Sequence, residues 1–374
     1  MVNRTDPTSN APIMMLSAGN GFIMQSEKYS RDNAGQSLKK YILLKKGELA
    51  YNHGASKAKQ YGCCYELTED EARIPYVYHC FKVSGAEHTP YVATALNNPK
   101  IDRQLKRLVS SSVRMDGLLN ISFDDYMSVI LHLPSLKEQT HIADFLKKLD
   151  ERITAQEKLV ASLKKYKRGL LRKVFAKLSD SCEKRNLKEV SVLFADGDWI
   201  ESKDQALDGI RLIQTGNVGF GVYIDKTQNA KYISETTFHR LNCLEIYDGD
   251  ILISRLPEPA GRACLLPKST ERRITAVDCT VIRTDSSVID RNYLLQFLCS
   301  EQYLKTVNSF LAGGTRQRIS RKNLEGIEVP YPSIDEQRYW GSFLCKVDAR
   351  ISNEEQRRSS LSRLRCFMLQ QLFI

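Results

Sequence analysis

The chain has 374 residues and a formal net charge of +11, because 55 Lys and Arg outnumber 44 Asp and Glu. This length allows two domains, each with its own core, and the charge favours an anionic partner such as nucleic acid, with a merely basic soluble protein as the alternative. No apolar run approaches the roughly 18 residues of a membrane helix, and the 10 cysteines lack zinc-ligand spacing, so we expect a cytoplasmic protein with reduced thiols.

Residues 1–133 predict a first α+β domain. Short apolar stretches occur at 13–25 ("IMMLSAGNGFIMQ"), 41–52 ("YILLKKGELAYN") and 76–83 ("YVYHCFKV"), and a glycine-containing loop and a final strand follow at 110–134. Strand-like runs bounded by Gly, Asn and Ser are typical of a small mixed domain.

Residues 134–178 predict a long helix. Apolar residues recur at alternating spacings of three and four, which places them in one stripe along the helix. About 40 residues at 1.5 Å per residue give a rod of roughly 60 Å. Such a rod needs a partner for its apolar stripe.

Residues 179–331 predict a second α+β domain with the same order of elements. Strands around a glycine turn (210–224) precede a strand, an Asp-Gly-Asp turn and a strand (244–256), and then "CTVIRTD" (279–285). A helical segment (291–311), a glycine loop and a strand bounded by prolines (313–332) complete the domain. Residues 186–209 precede its first hairpin, whereas only 1–12 precede that of the first domain. Either the first domain is trimmed, or its missing piece is supplied from elsewhere.

Residues 332–374 repeat the long helix. The stretch 121–176 aligns with 319–374 without a gap, and the identities include Pro134 with Pro332, Gln139 with Gln337 and Asp150 with Asp348. A repeat of this kind indicates two copies of one structural unit.

The two helices are predicted to pair with each other. Antiparallel pairing gives the chain an internal pseudo-two-fold axis, and the alternatives are packing on each helix's own domain or on a foreign subunit. The predicted seam comprises Leu146, Leu149, Ile153, Val160, Leu163, Leu170, Leu344, Val347, Ile351, Leu361 and Met368. The predicted fold class is α+β, with two pseudo-repeated target-recognition domains separated by two long antiparallel coiled-coil helices.

Two variable blocks, each followed by "P-S-(L/I)-x-E-Q" (134–139 and 332–337) and by "F-L…(L/V)-D-x-R-I", resemble the DNA-specificity subunit of a type I restriction–modification system. The resemblance covers essentially the whole chain. The stretch "GFIMQSEKYSRDN…LKKYILLKKGELAYN" also resembles the opening of one common kind of target-recognition domain.

This resemblance implies a non-catalytic subunit. Each domain is expected to read one half of a bipartite double-stranded DNA site, while the helices dock methyltransferase subunits, expected to be two, and restriction subunits join through the complex. S-adenosylmethionine and ATP are expected in those partners, and no cofactor or metal in this chain. The alternatives are the specificity component of a related methyltransferase or restriction assembly, or a protein scaffold without sequence-specific DNA binding.

Catalytic motifs are missing from the sequence. It contains no G-x-x-x-x-G-K-[ST] phosphate loop, no Asn-Pro-Pro-Tyr or Asp-Pro-Pro-Tyr stretch, and no Asp…Glu-x-Lys cluster in a strand context. This argues against the rival hypothesis of an enzyme that itself methylates or cuts DNA.

Base recognition requires side chains that form paired hydrogen bonds, such as Arg to guanine and Asn or Gln to adenine. Four loops carry such residues: 51–62 ("YNHGASKAKQYG"), 110–114 ("SSSVR"), the loop after "GDILISR", and 312–320 ("AGGTRQRIS"). The candidate DNA-binding residues are Asn52, His53, Ser56, Lys57, Lys59, Gln60, Arg114, Arg255, Arg262, Thr315, Arg316, Gln317 and Arg318. Each is also compatible with a solvated loop position. The basic run 164–173 ("KKYKRGLLRK") is a candidate for phosphate contact, with a solvated face or a subunit dock as alternatives.

Overall fold

The computed structural model describes residues 1–28, 35–56, 59–109, 118–311 and 317–373. The chain divides into two compact units: unit 1 comprises Met1–Gln156 and Arg357–Ile374, and unit 2 comprises Glu157–Gln356. Each unit contains one α+β domain and one half of each long helix. None of the described helices has the length and apolar character needed to cross a membrane.

The domain of unit 1 consists of short strands and short helices ahead of a long helix. Its strands are β1 (Met14–Ser17), β2 (Gly21–Met24), β3 (Ile42–Lys45), β4 (Leu49–Asn52), β5 (Cys63–Glu66), β6 (Glu71–Ile74) and β7 (His79–Phe81). Its helices are α1 (Gln25–Lys28), α2 (Thr89–Ala95), α3 (Pro99–Leu108) and α4 (Phe123–Met127), followed by the long helix α5 (Leu136–Ser181).

The strands of unit 1 pair antiparallel around an apolar core. β1 and β2 form a hairpin, β3 pairs with β6, and β4 lies between β5 and β7. Leu44, Leu49 and Leu67 are fully buried between them. The strands predicted within 13–25, 41–52 and 76–83 are confirmed. The final strand predicted within 110–134 is wrong, because residues 130–133 pair with no strand in the described part of the chain.

Unit 2 contains the second domain and the second long helix. Its strands are β8 (Lys184–Asn186), β9 (Leu193–Asp196), β10 (Gln205–Ala206), β11 (Ile210–Ile213), β12 (Lys231–Ile233), β13 (Glu245–Ile246), β14 (Ile251–Ser254), β15 (Ala263–Leu265), β16 (Arg273–Thr275), β17 (Cys279–Arg283) and β18 (Glu328–Pro330). Its helices are α6 (Glu235–Leu241), α7 (Arg291–Leu298), α8 (Glu301–Ser309), α9 (Arg321–Glu325) and α10 (Ile334–Leu372).

The sheets of unit 2 contain the strands predicted within 210–224 and 244–256 but pair them differently from local hairpins. One sheet has the order β10-β12-β11-β16-β13, another β15-β14-β17-β9, and β18 pairs with β8. Within 210–224, Val218 bridges Tyr223 antiparallel across the predicted glycine turn, but β11 takes no part in this pairing and pairs with β12 and β16. The predicted strand, Asp-Gly-Asp turn and strand of 244–256 are present as β13 and β14, but the turn carries the chain from one sheet to the other, so these two strands do not pair. The helical segment 291–311 forms two helices, with Ser300 as the N-cap of α8.

Both domains repeat one local arrangement. β4 lies between β5 and β7 as β14 lies between β15 and β17. Each domain continues into a helix whose third residue is a buried tyrosine, Tyr91 in α2 and Tyr293 in α7. Tyr91 stacks on Phe373, and Tyr293 packs on Phe175, the residue aligned with Phe373 in the repeat. The sequence repeat therefore corresponds to a repeat of tertiary contacts.

In unit 1, the first half of α5 packs against the last part of α10. Leu146 lies in one apolar cluster with Met368. One turn further along α5, Asp150 forms an ion pair with Arg365, which lies about one turn earlier in α10. The helices therefore run antiparallel.

In unit 2, the second half of α5 packs against the first part of α10. The contacts are equivalent to those of unit 1, but each helix supplies the residues that the other helix supplies there. Leu344 lies in one apolar cluster with Leu170, and Asp348 pairs with Lys167. The repeat aligns these four residues with the four contact residues of unit 1. Such exchange is what a two-fold relation between the helices generates. The predicted antiparallel pairing is confirmed within each unit.

Burial follows the predicted seam along both helices. Its buried members are Leu146, Leu149, Val160, Leu344 and Ile351, and its half-buried members are Ile153, Leu163, Leu170, Val347, Leu361 and Met368.

Candidate nucleic-acid interface

The first P-S-x-x-E-Q sequence caps α5 and attaches it to its domain. Ser135 donates to Glu138 Oε2 from its main-chain N (3.0 Å) and its Oγ (2.6 Å), which forms a reciprocal helix cap and lowers the pKa of Glu138. Gln139 is fully buried. Its Nε2 donates to Pro134 O at 2.9 Å, and its Oε1 accepts from His88 N, the N-cap of α2, at 3.0 Å.

The second copy makes the same joint in unit 2. Gln337 is fully buried, and its Nε2 donates to Pro332 O at 2.9 Å while its Oε1 accepts from Asp290 N at 3.0 Å. Asp290 is the N-cap of α7. A carboxamide is required at this position because it can donate and accept at once, which a carboxylate cannot.

In unit 1, His53 follows the central strand β4 and ties neighbouring loops together. Its side chain is 5 % exposed, and its ring nitrogens lie 2.8 Å from Leu119 O and 2.9 Å from Val77 O. Its own carbonyl accepts from Leu119 N at 2.9 Å. Since both ring nitrogens face main-chain oxygens, a base contact by His53 is inconsistent with this conformation.

Arg255 holds the corresponding position after β14 in unit 2. It is 6 % exposed, and its Nη2 donates to Val277 O at 2.7 Å and lies 3.5 Å from Asp196 Oδ2. Its carbonyl accepts from Ile319 N at 3.3 Å. Arg255 therefore joins the three segments of unit 2 that are equivalent to those joined by His53 in unit 1. In this conformation it positions loops instead of presenting a guanidinium to a base.

Arg262 fastens two loops of unit 2 to each other. Its Nε donates to Val218 O (2.7 Å), its Nη2 to Thr215 O (2.9 Å) and its Nη1 to Leu256 O (2.7 Å). Burial lowers the pKa of this guanidinium. Because its donors are directed to main-chain carbonyls, the predicted base contact by Arg262 is also inconsistent with this conformation.

The remaining candidates of unit 1 shape the loop after β4. Asn52 Oδ1 accepts from the main chain two residues later at 2.9 Å, and Ser56 Oγ accepts from Lys59 N at 3.1 Å. Lys59 Nζ donates to Asn97 O at 2.6 Å. Gln60 is exposed, so it is the member of this group that best matches a base-contacting role.

In unit 2, Gln317 and Arg318 are exposed beside the end of β14. Arg318 Nη1 lies 3.8 Å from Asp278 Oδ1, and Asp278 lies 3.9 Å from Arg255. An ion pair this exposed contributes little, so Arg318 can exchange its carboxylate for another acceptor. The structure thus brings together two loops that the sequence offered separately. Lys57, Arg114, Thr315 and Arg316 lie outside the described residues, and their DNA contacts stay a prediction.

A polar cavity of about 170 Å³ in unit 2 was not among the sequence-based candidates. It lies at the end of β11, and Gln214, Lys226, Asn229 and Lys231 line it. The three latter side chains are exposed. The stretch "KTQNAK" (226–231), in which lysines flank amides, is the sequence signal that could have indicated it.

A cationic face on α3 of unit 1 was also missed. Ile101 and Leu105 bury the opposite face of this helix. Residues spaced by three and four share one side of a helix, which groups the cations together. The exposed residues of this face are Lys100, Arg103, Lys106 and Arg107.

Some cations of the basic run of α5 form ion pairs with α10, and others are exposed to solvent. Lys164 pairs with Glu355 at 2.6 Å and Lys167 with Asp348, so these two cations hold α10 within unit 2. The exposed cations of the run are Lys165, Arg168, Arg172 and Lys173.

Several cysteine thiols are buried in the part of the chain that the structure describes. Burial raises the pKa of the Cys63 thiol to about 11 and those of Cys80 and Cys264 to about 12, which disfavours reactive thiolates. No group of His, Cys, Asp and Glu among these residues could hold a metal ion.

Comparison with known proteins identifies the family. Residues 179–363 match the model of the type I restriction modification DNA specificity domain. The chain belongs to the type I restriction–modification specificity subunits. This specificity subunit is 23% identical over 273 residues to the type I restriction enzyme MjaVIII specificity subunit of Methanocaldococcus jannaschii, covering 68% of this chain and 64% of that protein. It is 22% identical over 240 residues to the putative MjaX specificity subunit of the same organism, covering 62% and 55%. Each match thus spans less than two thirds of the relative.

Solved structures share the fold of this specificity subunit. The type I restriction–modification S subunit of M. genitalium matches with a TM-score of 0.56 at 16% identity, over 99% of this chain and 90% of that chain. A chain from a study of complex assembly and conformational transition of the type I R-M system matches with a TM-score of 0.56 at 18% identity, over 100% and 94%. The predicted α+β fold class is confirmed.

Proposed function

We propose that this specificity subunit reads a bipartite site on double-stranded DNA, one half with each target-recognition domain, and that its paired helices dock methyltransferase subunits. The observation that carries this proposal is the exchanged set of helix contacts, Asp150 with Arg365 and Asp348 with Lys167. A chain that duplicates both a domain and its attachment to a helix has two equivalent recognition heads.

The buried glutamine joints support a rigid connection between each head and its helix. Gln139 and Gln337 each bridge two main-chain groups, one before the helix and one at a domain helix. B-DNA presents the same face about every 34–36 Å, so two heads on one duplex need a fixed spacing. A flexible linker does not fix one, because its end-to-end distance fluctuates with the square root of its length.

The exposed polar residues of unit 2 fall into two groups, one suited to base contacts and one suited to phosphate contacts. Gln317 and Arg318 can form paired hydrogen bonds with base edges. Lys226 and Lys231 can neutralise phosphates, which adds affinity without sequence preference. Arg255 holds the loop of Gln317 and Arg318 in place through the main-chain bond to Ile319.

Unit 1 offers an equivalent set on its own scaffold. Gln60 is the described candidate for base contact, His53 positions its loop, and the cationic face of α3 is a candidate for phosphate contact. We assign the exposed cations of the α5 basic run to subunit docking, since their neighbours Lys164 and Lys167 already serve helix pairing.

Catalysis is assigned to partner subunits. Methyltransferase subunits would carry S-adenosylmethionine, and restriction subunits would use ATP. The rival hypotheses are separable: an enzyme would transfer methyl groups or cut DNA as the isolated chain, and a scaffold would bind partners without selecting any DNA sequence.

The test is selection from a randomised duplex pool with the chain reconstituted with its methyltransferase subunits. We expect two short fixed blocks separated by an unselected gap of constant length. Replacing Gln317 and Arg318 together with alanine should change the preference in one block only, whereas the control Lys305→Ala, an exposed change in α8, should change neither. A single contiguous block, or altered preference in both blocks, would contradict the proposal.

A further inference from the structure

In unit 2, residues 327–331 form a paired edge that is covered by β8. The main chain of Leu187 donates to Ile327 O at 3.0 Å, and that of Tyr331 donates to Glu183 O at 2.7 Å. Between them, Val329 pairs with Arg185 in the antiparallel register. Alternate residues of the edge, 327, 329 and 331, therefore direct their hydrogen-bonding groups towards β8.

β8 and the turn after it also close the core of unit 2. Leu187 and Val190 are 0 % and 1 % exposed and belong to its main apolar cluster. The guanidinium of Arg185 lies over the ring of Tyr331, 3.9 Å from its centroid. The segment 183–190 is thus an integral layer of this domain.

The repeat aligns residues 129–133 of unit 1 with that paired edge. Gln104 holds the segment extended from one side, since its carboxamide donates to Ile130 O and accepts from Ile130 N, both at 3.0 Å. Leu131 and Leu133, the counterparts of Val329 and Tyr331, direct their main-chain groups to the opposite side. The described residues provide no hydrogen-bond partner for the N–H or C=O of either residue.

An open groove adjoins this edge of unit 1. It has a volume of about 520 Å³, and His132 and Leu133 of the edge line it together with Tyr91, Ile142 and Leu372. Leu133 is 39% exposed, whereas its counterpart in unit 2 lies under Arg185.

The residues ahead of β1 do not fill this groove. Val2 donates its main-chain N to Cys80 O in β7 at 2.7 Å. Cys80 lies opposite the second residue of β4, and its equivalent in unit 2 is Val281, which lies opposite the second residue of β14. On its other side, Val281 pairs with Ala195 of β9. The N-terminal residues therefore take the place of β9, and none of the described residues pairs with this edge at the place of β8.

We propose that the main-chain edge of Leu131 and Leu133, with the groove beside Leu133, is a strand-docking site, which receives an extended segment of a partner polypeptide with the chemistry of β8 and its turn. The segment pairs antiparallel with the main chain of Leu131 and Leu133. It carries two aliphatic side chains three residues apart, as Leu187 and Val190 are, and a cation over Leu133. Addition of a strand to an open edge is a common mode of peptide recognition, in which main-chain bonds supply affinity and alternate side chains supply specificity. This site does not depend on DNA reading.

The probe is a synthetic peptide of residues 183–193, "EKRNLKEVSVL", added to the full-length chain, with amide hydrogen exchange read by NMR. Exchange at Leu131 and Leu133 should slow by at least about tenfold, and exchange at His132, whose main-chain N–H faces the side of Gln104, should not change. A control peptide with Leu187→Asp and Val190→Asp should leave all three amides unchanged. Unchanged exchange at Leu131 and Leu133, or equal slowing at His132, would overturn the proposal.

A second experiment distinguishes weak binding of the free peptide from absence of the site. The same residues are fused ahead of Met1, where they would continue the path of Val2. The fusion raises the local concentration of the segment. In the fusion, His132→Pro should keep the Leu133 amide protected, because unit 2 carries Pro330 at that position of its paired edge. Leu131→Pro removes a main-chain donor of the proposed docking edge and should abolish this protection. A fusion that leaves Leu131 and Leu133 unprotected would refute the site regardless of affinity, and this result would not bear on the selection of DNA.

Discussion

Replacing Gln337 with alanine should loosen the joint between α10 and the domain of unit 2. The change removes the carboxamide that bridges Pro332 O and Asp290 N, at 2.9 and 3.0 Å, in a position with 0 % exposure. Two buried main-chain groups would lose their partners at about 1–3 kcal/mol each, so the free energy of unfolding of unit 2 should fall by about 2–6 kcal/mol. The Asp290 amide should also lose protection from hydrogen exchange.

The control is Arg338→Ala, since the side chain of Arg338 is exposed on the same turn and surface changes stay within about 0.5 kcal/mol. Urea denaturation measures the loss, and hydrogen exchange assigns it to one unit, because two units need not unfold in a single transition. Gln139→Ala should have the equivalent effect on unit 1, centred on the His88 amide. A decrease in the free energy of unfolding below about 1 kcal/mol for both Gln337→Ala and Gln139→Ala would refute the role of the glutamines in joining helix and domain. Equal decreases for Gln337→Ala and Arg338→Ala would refute it as well.

Three further predictions concern the helices and the DNA. Gly341→Ala should destabilise unit 2 by about 1–3 kcal/mol in urea denaturation, because a Cβ there would lie 2.5 and 2.7 Å from atoms at the start of α7. Gly169→Ala, whose Cβ would have no atom within 4 Å, should instead stabilise the protein by up to about 1 kcal/mol, and the opposite order of the two variants would contradict the packing. Replacing Ile153 and Ile351 together with aspartate should cost several kcal/mol and abolish sequence-specific modification by the reconstituted complex, and survival of that modification would exclude the paired helices as the spacer. Lys226→Ala should reduce the salt dependence of DNA binding by about one unit of log–log slope without changing the selected sequence, and a changed sequence would contradict a phosphate contact.

The large-scale architecture was predictable because the repeat and the heptad periodicity are visible in the sequence itself. The seam residues recur at heptad spacing, and the gapless alignment of 121–176 with 319–374 indicates equivalent contacts at both ends of the helices. The chemistry of P-S-x-x-E-Q is also local, since a serine cap and its glutamate lie three residues apart in sequence. What the motif did not show is the partner of its glutamine, which lies in a distant helix cap.

Strand partners and the roles of individual arginines were not predictable from local pattern. A strand, a turn and a strand in 244–256 look like a hairpin, yet β13 and β14 belong to different sheets because each finds its partner far along the chain. Arg255 and Arg262 match the residue type that reads guanine, but their partners are carbonyls brought near by the fold. Composition cannot distinguish an arginine that binds a base from one that binds the main chain.

The most direct test of the central claim is a genome-wide map of methylated bases in cells that express this chain with its methyltransferase subunits, compared with cells that carry the chain with Gln317 and Arg318 both changed to alanine. Two-headed reading predicts that the original chain marks a motif of two short blocks at constant separation. It also predicts that the altered chain preserves one block and the separation while its other block relaxes. Methylation at an uninterrupted motif, or a separation that changes with the substitutions, would contradict it.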